Sequence, residues 1–190
     1  MGVPESPPMD AARWLAALFE AHERRVLAYA LRRTATEADA EDIAAETFVV
    51  AWRRRREVPD DALPWLLGVA RRLLANQRRG QGRRAGLFAR LVQQRSEVAA
   101  VSVGDEGPAI RALVRLSPSD QELLRLVAWE ELDHRSIGLA LGISENAVAI
   151  RLHRARQRFR DELLKESGPS RTSTQAKGNL NGAVQEQPND

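Results

Sequence analysis

The chain has 190 residues, 43% of them hydrophobic, with 29 basic and 26 acidic side chains and a formal net charge of +3. That mixture fits a globular protein of one medium or two small domains. No apolar run approaches the eighteen residues of a membrane span, the opening MGVPESPPMD carries no secretory-signal pattern, and the lack of cysteine excludes disulfides, thiolate metal sites and thiol redox switching. A cytoplasmic location without membrane insertion is expected.

Helical periodicity dominates the chain and no alternating strand pattern appears. After a disordered start over residues 1–9, Asp10 can cap a first helix with Trp14, Leu15, Leu18, Phe19, His22, Val26 and Tyr29 on one stripe. A second helix is expected from about Glu37 to Arg55, with Ile43, Thr47, Phe48 and Trp52 along one side. EVPDDALP (57–64) interrupts it, and Pro64 suits the first residue of a third helix whose stripe is Trp65, Leu66, Val69, Ala70 and Leu73. These helices make a first domain over residues 10–84. Residues 85–107 read as a flexible linker, following the glycine-rich GQGRRAG. That run follows a helix rather than a strand, which argues against a dinucleotide site.

A second domain is expected over residues 108–166. Ser117 caps one helix, Asp133 a short second one ending at Leu141, and Ser144 a long last one. Residues 167–190 offer almost nothing to bury and read as a disordered tail. The fold class is therefore all-α: two small helical domains joined by a flexible linker.

Charge is distributed unevenly. Glu37, Asp39, Glu41, Asp42 and Glu46 stand together without a base, whereas Ala62 to Ser96 holds eight arginines and no acid. Arginine suits bidentate phosphate and guanine contacts. In SIGLALGISENAVAIRLHRAR (136–156), Ile137 and Leu141 face inward, Gly142 makes a turn and Ile143 plugs the corner. Val148, Leu152, Ala155 and Phe159 give the next helix an inward stripe. Asn146, Ala149, Ile150, Arg151, His153, Arg154 and Arg158 are left facing outward. This is the pattern of a DNA-binding helix-turn-helix spanning 136–155, with small side chains near base edges and arginines for phosphates.

The stretch LSPSDQELLRLVAWEELDHRSIGLALGISENAVAIRLHRARQRFRDEL resembles region 4 of the extracytoplasmic-function sigma factors. DAEDIAAETFVVAWRRRREVPDDALPWLLGVARRLLANQRR resembles their region 2. The resemblance implies a factor that binds core RNA polymerase and directs it to promoter DNA, and it leaves room for an anti-sigma factor. It would place Asp39, Glu41, Asp42, Glu46, Phe48 and Trp52 on the polymerase clamp. Loop 57–63 with Arg72, Asn76 and Arg79 would meet the −10 element. Asn146, Ala149, Ile150, Arg151, His153 and Arg154 would meet the −35 element. The family usually has glutamine at Ala45, asparagine at Arg72, and a basic then a small polar residue at Ala149 and Ile150. Trp65, Trp129 and the Phe48/Trp52 pair are expected in the core rather than as stacking platforms.

Two rival classes remain. A regulator acting without polymerase could share the helix-turn-helix, although the acidic helix of the first domain argues against it. An enzyme has less support. Glu131-x-x-His134 has the spacing of half a helical di-iron site, but the second pair is missing. Glu41, Asp42 and Glu46 lack an accompanying histidine or phosphate loop. No catalytic residue, metal, cofactor or small-molecule substrate is expected.

Overall fold

The computed structural model describes residues 8–91 and 107–166. The expected disordered tail, the first seven residues and linker residues 92–106 lie outside the described residues. Seven α-helices occur in the order α1 (Pro8–Leu31), α2 (Glu37–Arg53), α3 (Ala62–Leu91), α4 (Pro108–Val114), α5 (Pro118–Ala128), α6 (His134–Leu141) and α7 (Glu145–Glu166). A short 3-10 turn, Arg55–Glu57, follows α2, and no strand occurs among the described residues. The chain is all-α.

Helices α1, α2 and α3 pack on one another through small and branched residues. Val26, Tyr29, Ala40, Ala51, Leu66 and Ala70 are all fully buried. Thr36 caps α2 by accepting from the Asp39 amide, a cap the sequence pattern did not single out. Thr47 is buried inside α2 and donates back to the Ile43 carbonyl at 2.7 Å, so its hydroxyl is satisfied without leaving the helix. Asp10 is the third residue of α1 and not its cap, because the helix already begins at Pro8. Pro64 likewise sits in the first turn of α3 rather than opening it, a place where its missing N–H costs no intrahelical bond. Helix α3 also runs on through the glycine-rich stretch to Leu91, so part of the expected linker is helical backbone.

In the second half, α4, α5 and α6 pack against α7. Ser117 accepts from the Asp120 amide at 3.2 Å, Asp133 from the Ser136 amide at 2.8 Å, and Ser144 from the Ala147 amide at 3.2 Å. Gly142 ends α6 in the left-handed conformation at φ 70°, where a side chain would be strained. The aromatic expectation is only partly met. Phe48 is buried, but Trp52 and Trp129 are 36% and 39% exposed, because each lies at a helix end with an arginine over its ring.

The two halves share a single apolar cluster, in which Leu123, Leu126, Ile137, Val148 and Leu152 join residues of α1–α3. Helix α3 packs directly on α6, and Gly68 sets the spacing. A Cβ there would stand 2.9 Å from the Ala140 carbonyl oxygen.

Candidate functional site

The helix-turn-helix is formed by α6 and α7. Ile137, Val148 and Leu152 are buried to within 1% of complete, anchoring both helices from the inside. The turn needs a second glycine that the sequence pattern did not flag. A Cβ on Gly138 would lie 2.8 Å from the Ile143 carbonyl oxygen, while the Gly138 carbonyl accepts from the Ile143 amide at 3.0 Å. With this frame fixed, Asn146, Ile150, Arg151, His153 and Arg154 are exposed, and Ala149 is half-buried. Ile150 is 46% exposed, an unusual position for a large apolar side chain unless it meets another surface.

Helix α3 carries a second basic face. Arg72, Asn76 and Arg79 are exposed, and Arg79 donates to the Asn76 side-chain oxygen at 2.5 Å. Neighbouring Arg71 is half-buried, and its Nε is enclosed with no hydrogen-bond partner. Arg71 and Arg78 of α3 line one cleft of about 600 Å³ with Arg151, Arg154 and Arg158 of α7. Arg158 is held there by Asp120 at 2.8 Å. The two arginine-bearing helices thus face one another.

The acidic helix points elsewhere. Glu41, Asp42 and Glu46 are exposed on α2, with Val49 and Trp52 forming a small apolar strip at 38% and 36% exposure. Two other residues expected on this face are used internally. Asp39 accepts from the Gln77 amide nitrogen at 2.6 Å and from the Thr36 hydroxyl at 2.7 Å. Phe48 is buried with its ring centroid 4.9 Å from that of Phe19. Among the described residues, no group of three or more histidine, aspartate or glutamate side chains could hold a metal ion, and no helix is long and apolar enough to cross a membrane.

A buried ionic cluster escaped the sequence reading altogether. The Arg33 side chain, 3% exposed, donates through Nε to Glu122 at 3.0 Å and through a terminal nitrogen to Glu130 at 3.1 Å. Its guanidinium lies 3.6 Å from the Tyr29 ring centroid. Tyr29 donates its hydroxyl to Glu122 at 2.7 Å. Burial first, and then the Glu122 carboxylate, push the Tyr29 phenol far above its ordinary value. Arg32 reaches Glu130 at 2.7 Å, and Arg25 donates to the Glu130 backbone carbonyl. Periodicity cannot find such a cluster, because a charged residue at a helix end reads the same whether it meets water or a partner.

A helix-turn-helix in one lobe and an arginine-bearing helix beside an acidic one in the other define a DNA-binding protein with a separate surface for a basic or mixed partner. Comparison with known proteins gives the class. The sigma-70 region 2 model matches residues 18–84, and the sigma-70 region 4 model matches residues 107–159. The ECF RNA polymerase sigma factor SigL of Mycobacterium tuberculosis is 31% identical over 172 residues, covering 84% of this chain and 94% of that protein. The probable RNA polymerase sigma factor RfaY of Xanthomonas campestris pv. campestris is 32% identical over 173 residues. That match covers 85% of this chain but only 42% of the longer relative. Among solved structures, the sigma factor RpoE of Bartonella quintana, in complex with the anti-sigma factor NepR, shares the fold at a TM-score of 0.57 and 22% identity, covering 79% of this chain and 96% of that one. The chain belongs to the extracytoplasmic-function RNA polymerase sigma factors of the sigma-70 family.

Proposed function

We propose that this sigma factor docks on core RNA polymerase through α2 and reads promoter DNA through α3 and α7. The observation that carries the reading is the segregation of charge. Glu41, Asp42 and Glu46 stand exposed beside Val49 and Trp52, while the exposed arginines of α3 and α7 lie on other faces. An acidic face beside an apolar strip suits a basic helical surface, with charge steering the encounter and apolar area holding the complex. Asp39 and Phe48 support this face from within, one through Gln77 and the other through Phe19.

Arg72, Asn76 and Arg79, with loop 57–63, meet the −10 element, where arginine can pair with phosphates and stack on unpaired bases. Helix α7 enters the major groove of the −35 element. Arg151 and Arg154 hold phosphates, and Asn146, Ala149, Ile150 and His153 approach base edges. Ile150 is placed to touch thymine methyls, the apolar feature of that groove. The protein acts in the cytoplasm, supplies no catalysis of its own, and serves an environmental or stress response. An anti-sigma factor is a further partner, by analogy with the RpoE–NepR pair.

The test is assembly with core polymerase, comparing the wild-type chain with the Asp42→Lys/Glu46→Lys variant. Both side chains are exposed, so the fold should survive, and circular dichroism checks it. Loss of charge-assisted contacts at an interface costs about 2–5 kcal/mol. The variant should therefore fail to co-purify with polymerase or support run-off transcription. Equal recovery of both chains refutes the α2 assignment. No recovery of the wild type instead favours a regulator that binds DNA alone.

A further inference from the structure

The contact between region 2 and region 4 has the construction of a protein core. Gly68 lets the α3 and α6 backbones meet without an intervening side chain. Arg33 and Glu130, from opposite regions, are both buried, and Tyr29, Glu122, Arg25 and Arg32 complete their hydrogen bonds. Glu131, which follows Glu130, is the one non-glycine residue with a left-handed backbone among the described residues, at φ 54°. A strained residue of this kind persists where its surroundings hold it. Buried charges that find partners only across a joint specify one arrangement of that joint, since a shifted one would leave them desolvated and unpaired.

The same joint turns the DNA-reading parts toward one another. Arg151 and Arg154 share their cleft with Arg71 and Arg78. On another side, Pro59, Asp60 and Asp61 of the 57–63 loop share a cleft with Asp133, Arg135 and Leu139 of the helix-turn-helix. A recognition helix has to sit inside a major groove about 12 Å wide. A cleft of about 600 Å³ bounded by α3 leaves no room for the duplex.

We infer that region 2 carries a docking surface, built from Arg25, Tyr29, Arg32, Arg33 and Gly68, whose resident partner is this chain's own region 4, and that the free factor thereby hides its −35 face. The inference rests on the reading that α7 enters DNA. Arg71, Arg78, Arg151 and Arg154 oppose closure, because no acid pairs with them and their charges converge. The Arg33 cluster and the apolar joint favour it. Covalent linkage helps as well, since a tethered partner acts at a local concentration on the order of millimolar. Binding of region 2 to another surface, or DNA phosphates competing for the arginines, would release region 4.

Two measurements on the full chain test this. Gly68→Leu should wedge α3 from α6 while leaving each region helical. The radius of gyration from small-angle scattering should rise, and the affinity of the free chain for −35 duplex should rise about tenfold. The second measurement needs no wedge. Since the chain has no cysteine, Ala75→Cys and Ser119→Cys, both lining the closed cleft, can be joined selectively by a bismaleimide with a reducible spacer. Cross-linking should proceed within one chain and lower duplex binding at least tenfold, with recovery when the spacer is reduced. An extended wild type, absence of intramolecular cross-linking, or unchanged duplex binding by the linked chain overturns the inference. A chain that closes and opens as described but never supports transcription with core polymerase leaves self-docking standing and defeats the sigma-factor mechanism instead.

Discussion

Helix α2 turns Glu41, Asp42 and Glu46 to solvent, whereas α7 turns Arg151 and Arg154 into a cleft shared with α3. Both helices are amphipathic and both carry functional charge, yet the fold leaves one presented and the other enclosed. The difference follows from what each helix rests on. Helix α2 packs only on α1 and α3, so its far face remains free. Helix α7 sits under α4, α5 and α6, and α6 is in turn seated on α3 through Gly68. A surface that is always presented suits the first encounter with a partner, and an enclosed one suits a later step.

The comparison breaks most sharply if the frame of α7 is destroyed while α2 is spared. Gly138→Val would drive a branched Cβ against the Ile143 carbonyl, 2.8 Å away, and backbone on both sides prevents an easy shift. Overpacking at such a site costs about 3 kcal/mol. Region 4 should lose its unfolding transition at moderate temperature, and −35-dependent transcription should fall with it. Co-purification with core polymerase through α2 should persist. A variant that melts like the wild type would show that the α6–α7 turn relaxes more freely than its geometry suggests.

A smaller perturbation keeps the frame and removes only charge. Arg151→Ala/Arg154→Ala deletes two phosphate-directed side chains that have no ion pair in the closed chain. In the holoenzyme, promoter affinity should drop by about 2 kcal/mol, roughly 1 for each lost contact. Its dependence on salt should flatten, by about 0.9 in logarithmic slope per lost phosphate contact. Titration of duplex at several salt concentrations measures both. An unchanged slope would remove these arginines from the −35 interface.

The helices and the turn were legible because their signals are local. Val148, Leu152 and Ala155 recur at helical spacing, and Ser117, Asp133 and Ser144 stand where caps belong. The acidic character of α2 was also plain, but the split within it was not. Asp39 differs from Asp42 only in facing Gln77, a residue 38 positions away. Phe48 and Trp52 lie one turn apart, and only the position of Phe19 decides that the first is buried. Arg33, Glu122 and Glu130 were illegible for the same reason at greater range, since their pairing requires knowing how two separate lobes meet. Gly68 and Gly138 stood inside helical patterns, where a glycine reads as a minor defect until the opposing backbone is seen.

The smallest effect separates the cap of α6 from its charge. Asp133 accepts from the Ser136 amide, and that hydrogen bond holds its carboxyl below the ordinary aspartate value of 3.8. Because the native state lowers this value, the stabilisation is fully present above the ordinary pKa and is lost as pH falls through the lowered one. Asparagine is about as good an N-cap as aspartate but does not titrate. Asp133→Asn should therefore leave the melting temperature at neutral pH nearly unchanged, apart from a weak loss of favourable charge at the helix N-terminus. Below about pH 4, where only the aspartate form sheds its capping charge, the parent should lose more stability than the variant. Thermal unfolding followed by circular dichroism between pH 3 and 7 reads the difference. Parallel curves for the two chains would mean that the cap acts through its geometry alone, and that α6, unlike α2 and α7, owes nothing to its charge.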